Sequence, residues 1–372
     1  MLHVELLKHF HEFTLDVQWT AESGVVALFG PSGAGKTLTL ECLAGLMRPD
    51  AGRIELHGRS LYDSVRGVRR SPRDRRLGAV FQGYALFPHL TVEENLAFGL
   101  DRMARSARRQ RVAELVERLH LGEVRRLKPG ALSGGQQQRT ALGRALAPDP
   151  DLLLLDEPLG ALDSPLRRTL RDELATMLRG FGKMAVVITH DLAEACQLAD
   201  RIVVYDRGQV VQVGPRDAVL ARPASAHVAA ALGVRNVLEG VVLNASEEEI
   251  QLVWRGYLLV ATRRPGMAPP PAPGQRVPFF IRPEHVRLMR KDRYGAPTRQ
   301  LNLVRGTLVG EVHMGAAYSL QFAVEGEGDP PARGYDLEIM VPALVHEKLC
   351  LHYDRQWTVS VQPSAVELLP SA

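Results

Sequence analysis

Cysteine is scarce: positions 42, 196 and 350 hold the only three in 372 residues, far apart and without metal-ligand spacing. This excludes a disulfide framework and points to a reducing cytosol. No apolar run approaches the ~18 residues of a membrane span. The longest, such as Leu152–Leu155, are strand-sized. The opening Met1-Leu2-His3-Val4-Glu5 lacks the basic-then-apolar layout of a signal peptide. The chain is therefore expected neither to enter nor to cross a membrane by its own means. Aromatics are only 6% of the residues, too few for a surface on which bases stack beside basic side chains. Trp254, Arg255 and Tyr257 form one candidate for such a surface, but no cluster develops, and nucleic acid is not expected as a partner.

The composition that is present, 45% hydrophobic and 24% charged, is that of a globular chain. The length implies more than one domain. The net charge of +4 comes mostly from arginine, clustered at Arg66–Arg76 and Arg102–Arg111. Runs of one charge are expected to be solvated surface.

Residues 1–235 alternate short apolar runs with helix-period patterns, which predicts an α/β domain. Val25–Phe29, Leu77–Phe81, Leu152–Leu155, Ala185–Thr189 and Ile202–Tyr205 read as buried strands. Lys36–Leu46, Ala107–Leu119, Gln136–Ala147 and Pro165–Arg179 read as helices. From residue 236 to 372 helical periodicity thins and short β-rich runs take over. Arg264–Gly274, with Pro265 and Pro269–Pro271, can only be a loop. This tail repeats itself. Asn236-Val-Leu-Glu-Gly240 resembles Asn302-Leu-Val-Arg-Gly306, and Val277–Leu288 resembles Trp357–Leu368 with Pro283 matching Pro363. Two copies of an all-β unit predict one or two small barrels.

Three motifs carry chemistry. Gly30-Pro31-Ser32-Gly33-Ala34-Gly35-Lys36-Thr37 fits the phosphate-loop pattern G-x-x-x-x-G-K-[ST] between an apolar strand and a helix. Its glycines let backbone N–H groups close around phosphates, and the following helix N-terminus favours anions. Lys36 would reach the β and γ phosphates, and the Thr37 hydroxyl would ligate Mg²⁺. Leu152–Leu155 then leads into Asp156 and Glu157 at a strand end, where open α/β sheets gather ligands. Asp156 would hold the metal's shell and Glu157 would polarise the attacking water. Third, Leu132-Ser133-Gly134-Gly135-Gln136 precedes a helix. Ser133 can be read as an N-cap, or the segment can be read as a second anion site facing a γ-phosphate from a partner chain.

With these motifs in order, residues 1–235 resemble the ABC ATPase family, and Leu132–Gln136 is similar to its signature motif. The resemblance implies further roles. Gln82, in Val80-Phe81-Gln82, would be the lid glutamine that touches Mg²⁺ and relays the nucleotide state. Asp163, in Gly160-Ala-Leu-Asp163, would be the loop aspartate that crosses a dimer interface. His190 would be the switch histidine that contacts the γ-phosphate. It also implies a head-to-tail homodimer with each ATP between one chain's phosphate loop and the other's signature. Gly160 stands where a serine is often found. Phe10 and Phe13 are both candidates for stacking on adenine.

One ATPase unit, no spans and a β-rich tail resemble importer subunits, which act with integral membrane permease subunits and, indirectly, with an extracytoplasmic solute-binding protein. The place implied is peripheral, at the cytoplasmic face of the cell membrane. Phe29–Thr37, Gly52–Leu56, Arg75–Gln82 and Leu86–His89 resemble molybdate-importer ATPases, and the Leu61–Arg73 insert agrees. Ile281-Arg282-Pro283-Glu284-His285 also resembles the tails of sulfate, polyamine and sugar importers. The expected cargo is molybdate, tungstate or sulfate, with polyamines or sugars as the alternative. The tail is expected to resemble a TOBE- or MOP-like barrel that dimerises or senses a ligand.

Overall fold

Two burial patterns divide the strands of the first half. Thr14–Ala21 alternates exposed and buried residues at every step, as a strand does with one solvated face. Val25–Phe29, Leu152–Asp156 and Met184–Thr189 are buried throughout, as strands covered on both faces must be. The computed structural model describes residues 1–160, 164–263, 269–289, 302–328, 331, 333–351 and 354–370, without the side chains of 164–166. It divides into Met1–Ala221 and Arg222–Ala372.

In the first unit the strands are β1 (Leu2–His9), β2 (Thr14–Ala21), β3 (Val25–Phe29), β4 (Ala51–Leu56), β5 (Arg59–Asp63), β6 (Val68–Arg69), β7 (Leu77–Val80), β8 (Leu152–Asp156), β9 (Met184–Thr189), β10 (Arg201–Asp206) and β11 (Gln209–Pro215). They form one sheet in the order β6-β5-β4-β1-β2-β11-β10-β3-β9-β8-β7. From β10 to β7 every neighbouring pair is parallel. The helices are α1 (Lys36–Ala44), α2 (Val92–Ala97), α3 (Arg105–Arg118), α4 (Gly134–Leu146), α5 (Ser164–Phe181), α6 (Leu192–Leu198) and α7 (Arg216–Ala221).

Register on the parallel side aligns four functional segments. Phe29 lies opposite Thr189, Ile188 opposite Asp156, and Leu155 opposite Val80. Gly30, His190, Glu157 and the approach to Gln82 therefore leave adjacent strands at one edge, where parallel sheets bind ligands.

α1 stops at Ala44, short of the Leu46 expected from periodicity, because Gly45 turns left-handed with φ 80°. The last carbonyls of α1 are taken by an arginine from the basic run. Arg75 Nη1 donates to Cys42 O and Leu43 O, each at 2.7 Å. Arg75 is buried, so Arg66–Arg76 is not wholly solvated surface: one member closes a helix end in the interior.

The second unit begins before residue 236. Helix α8 (Ala226–Ala231) packs Ala229 with Val234, Phe280 and Leu369 of the tail. The break therefore falls at Ala221/Arg222 rather than 235/236. Its strands are β12 (Asn236–Ala245), β13 (Glu249–Trp254), β14 (Tyr257–Thr262), β15 (Arg276–Ile281), β16 (Arg287–Met289), β17 (Asn302–His313), β18 (Ala317–Val324), β19 (Leu337–Pro342), β20 (Gln356–Val361) and β21 (Glu367–Leu368).

The repeat seen in the sequence is a repeat of register. Asn236 pairs with Ile281 and Gly240 with Val277; Asn302 pairs with Val361 and Gly306 with Trp357. Each copy has its bulge at the matching place, between Val242 and Asn244 in one and between Leu308 and Gly310 in the other. The copies are interleaved. β16, which follows the first copy, pairs with β20 of the second, and β21 pairs with β15 of the first. Two five-stranded half-barrel sheets thus share one core, with Leu252, Phe279, Phe322 and Val359 among its members.

A buried asparagine ties each copy to the other. Asn236 Nδ2 donates to Glu338 O at 2.8 Å while its Oδ1 accepts from Glu338 N at 2.6 Å. Asn302 does the same to Val260, at 2.8 Å and 2.7 Å. The candidate base-stacking surface is not one. Trp254 is buried edge-on to Phe279, and Arg255 pairs with Asp336 at 3.3 Å. Residues 264–268 of the proline-rich stretch lie outside the described residues.

Candidate functional site

The phosphate-loop motif connects β3 to α1, and two of its glycines have a local reason. Gly30 has φ 152°, and a Cβ there would meet the Tyr205 carbonyl at 2.3 Å. Gly35 has φ 99°, and a Cβ there would meet the Leu15 side chain at 2.6 Å and Phe13 at 3.2 Å. Lys36 Nζ donates to the Gly30 and Pro31 carbonyls at 2.8 and 2.7 Å. Burial lowers the Lys36 ammonium from its ordinary range, against the nearby Glu157 and Asp156 carboxylates.

Asp156 ends β8 and Glu157 follows it. Thr37 Oγ1 donates to Asp156 Oδ1 at 3.4 Å. Burial holds the Asp156 carboxyl above the usual range, and Glu157 adds to this. Glu157 has φ 44°, a conformation non-glycine residues rarely adopt. Its N–H donates to Ile188 O at 3.1 Å, its carbonyl accepts from Gly160 N at 3.0 Å, and its Oε1 lies 2.9 Å from His190 Nδ1. A Cβ at Gly160 would come within 3.2 Å of Glu157 Oε2, so a glycine here leaves the Glu157 carboxylate more room than a serine would.

Lys36, Thr37, Asp156, Glu157 and His190 thus form one cluster. Ser133–Gln136 do not join it within the chain. Ser133 caps α4 in a full capping box: Gln136 N donates to Ser133 Oγ at 3.4 Å, and Ser133 N to Gln136 Oε1 at 2.9 Å. Gly135 lets α5 approach, since a Cβ there would sit 3.3 Å from Leu170. Asp163 lies outside the described residues. Phe13 lies beside Gly35 and Gly208, and Phe10, more exposed, faces it at 6.1 Å between centroids.

Gln82 is exposed and enters a loop that the sequence reading did not single out. Gly83, Tyr84 and Ala85 are all left-handed, with φ of 77°, 65° and 45°. Arg144 of α4 clamps this run. Its Nη1 donates to Ala85 O at 2.8 Å and its Nη2 to Tyr84 O at 3.1 Å, with the guanidinium 4.9 Å from the centre of the Phe87 ring. The helix that begins at Ser133 is therefore tied to the loop that begins at Gln82.

Among the described residues no group of three His, Cys, Asp or Glu side chains converges to hold a metal. Thr37 and Asp156 are the oxygen donors present, a set suited to a cation such as Mg²⁺ that is otherwise ligated by phosphates and water. No helix of the described residues is long and apolar enough to cross a membrane.

Known proteins resemble this chain at the level of family and fold. Residues 15–160 match the ABC transporter family model. The chain is 41% identical over 292 residues to the spermidine/putrescine import ATP-binding protein PotA of Thermobifida fusca, covering 78% of this chain and 72% of that one. It is 44% identical over 241 residues to the sulfate/thiosulfate import ATP-binding protein CysA of Yersinia pseudotuberculosis, covering 63% and 64%. It is 40% identical over 253 residues to the molybdenum import ATP-binding protein ModC of Rhodospirillum rubrum, covering 65% and 68%. Among solved structures, the dimeric bacterial ABC transporter cassette MJ0796 is 31% identical at a TM-score of 0.50, covering 58% of this chain and 99% of that one. The same cassette is also known in a post-hydrolysis state bound to ADP and Pi. A strand-end site with a phosphate loop, in a fold shared with that cassette, and relatives at this identity make the chain a member of the ABC transporter family, whose ATPase domain is its first unit and to which a β-rich, TOBE-like second unit is appended.

Proposed function

We propose that this chain is the ATP-hydrolysing subunit of an importer and works as a homodimer against membrane permease subunits. One observation carries the reading: Asp156, Glu157 and His190 lie at neighbouring parallel strand ends beside the start of α1, where Thr37 meets Asp156, His190 meets Glu157, and Lys36 lies near both carboxylates. Lys36 and the loop N–H groups bind the phosphates, Thr37, Asp156 and Gln82 would hold Mg²⁺, and Glu157 orients the attacking water with His190 beside it. Such a site works by positioning and charge stabilisation. The metal held there would supply positive charge against the phosphates.

Ser133, Gly134, Gly135 and Gln136 cap their own helix and leave its N-terminus to a phosphate held by a second chain. Asp163 would serve the same interface, and the Phe10–Phe13 hairpin would receive the adenine. This arrangement makes the head-to-tail dimer the working unit, peripheral to the membrane at its cytoplasmic face.

For cargo we favour an oxyanion: molybdate, tungstate or sulfate. Relatives named for a polycation and for oxyanions match this chain about equally well, which fits an engine whose catalytic residues touch only ATP. The oxyanion side is favoured by the resemblance of Phe29–Thr37, Gly52–Leu56, Arg75–Gln82 and Leu86–His89 to molybdate-importer ATPases.

The test is Glu157→Gln. The amide keeps the size of the side chain and an oxygen beside His190 but loses the charge. Binding of ATP and dimerisation should persist while turnover falls by about 10²–10⁴-fold, the range for loss of a general base. Turnover at the wild-type rate would refute the role of Glu157.

A further inference from the structure

Behind the His190 turn lies a carboxyl group that none of these roles uses. Glu194 is 4% exposed, in the first turn of α6. Its Oε2 accepts a hydrogen bond from Thr189 Oγ1 at 2.6 Å. The same hydroxyl oxygen accepts from Asp191 N at 3.0 Å. Thr189 thus holds both sides of His190: it precedes the histidine, binds the residue after it, and is itself held by Glu194. Asp191 is fixed from the far side. Its Oδ1 caps α6 by accepting from Ala193 N at 2.8 Å, and its Oδ2 meets Arg171 Nη2 at 3.1 Å.

His190 cannot be located by packing, since 56% of its side chain is exposed. Its direction toward Glu157 must come from the backbone turn that carries it. The second oxygen of Glu194, Oε1, is buried without a hydrogen-bond partner, an expensive arrangement that an apolar side chain would avoid. The groups facing Glu194 are Asp191, Arg171 and His190, and burial holds its carboxyl above the usual range. We infer that Glu194 is a positioning residue for hydrolysis: through Thr189 it fixes the turn that presents His190 to Glu157 and to the γ-phosphate. The inference rests on the role of His190 proposed above.

The experiment is steady-state ATPase kinetics of the full chain carrying Glu194→Ala, Glu194→Gln, His190→Ala and the His190→Ala/Glu194→Ala pair. Glu194→Ala should lower kcat ~10–100-fold, the cost of misplacing a reacting group by about 1 Å. KM should stay within about twofold, because the phosphate loop is untouched. Glu194→Gln keeps an oxygen for the Thr189 hydroxyl and should recover kcat to within about threefold of wild type. The double variant should be no slower than His190→Ala alone, since both changes remove one function. Thr189→Val removes the bridging hydroxyl and should reproduce Glu194→Ala if that variant folds poorly. Multiplying losses in the double variant, or failure of Gln to rescue, would overturn the positioning role and leave His190 in place. Wild-type turnover of His190→Ala would overturn the reading of His190 itself and this inference with it.

Discussion

Arg144 gives the sharpest test of how the site is held together. The lid loop after Gln82 carries two non-glycine residues in the left-handed region, Tyr84 at φ 65° and Ala85 at φ 45°. Each costs ~1–2 kcal/mol, or about 2–4 kcal/mol for the pair. Arg144 bonds the carbonyls of those same two residues, at 3.1 and 2.8 Å. Hydrogen bonds to a charged group contribute ~1.5–3 kcal/mol each, so the clamp supplies about 3–6 kcal/mol, nearer the lower figure where solvent reaches it. At about 3 kcal/mol the clamp is comparable to the strain it opposes, so Arg144→Ala should release the loop. The loop should then favour relaxed conformations, Gln82 should lose the position proposed for it beside Mg²⁺, and kcat should fall about tenfold or more. Arg144→Lys should not rescue, because a single ammonium cannot fork to two carbonyls as a guanidinium does. ATPase rates should be read beside hydrogen–deuterium exchange of residues 80–90, where the variant should exchange faster. Unchanged exchange would show that Arg144 does not hold the loop. Faster exchange with full turnover would show that the loop's conformation is irrelevant to hydrolysis.

Three further outcomes follow from particular contacts. Gly30→Ala would drive a Cβ to 2.3 Å from the Tyr205 carbonyl, so nucleotide affinity measured by fluorescence titration should fall at least about tenfold. Asn236→Ala and Asn302→Ala each strand an N–H and a carbonyl, buried in Glu338 and half-buried in Val260. At a combined ~2–4 kcal/mol, each should speed exchange about 30- to 700-fold, confined to residues 337–342 in the first variant and 257–262 in the second. The third concerns pH. Burial raises the folded-state pKa of Glu194, so its protonated form favours folding at low pH and that contribution is lost as pH rises through the folded value. Glu194→Gln should therefore melt progressively higher than wild type as pH goes from about 4 to about 8. A constant offset in Tm would exclude the titration.

The central parallel strands β3, β9 and β8 were legible because they are buried on both faces and so appear as uninterrupted apolar runs. Val25–Phe29 and Leu152–Leu155 mark β3 and all but the last residue of β8. β1, β2 and β4 went unread. Their polar face dilutes the apolar run, as in Thr14–Ala21, where every second residue is solvated. In the tail, the paired motifs gave the repeat but not the exchange of last strands, because β16 and β21 are three and two residues long. Elements that short carry no periodicity, and only their partners define them.

The site divides along the same line. Residues contiguous in sequence, such as Gly30–Thr37 or Asp156–Glu157, announce their chemistry through spacing. Contacts between distant segments do not: His190 reaches Glu157 and Arg144 reaches Tyr84 only once the sheet and α4 are in place. Glu194 shows how local spacing can mislead as well as fall silent. Asp191 followed three residues later by Glu194 has capping-box spacing, which would turn the glutamate back onto the N-cap backbone. Asp191 does cap α6, accepting from Ala193 and Glu194 N–H groups. The glutamate carboxyl turns inward to Thr189 instead, leaving an unpartnered oxygen in the interior. A helix needing only its cap would keep that carboxyl in water at the helix start, where the dipole favours it. The cost of burial is incurred where the chain must hold an exposed histidine still, and the turn around His190 is where the two demands meet.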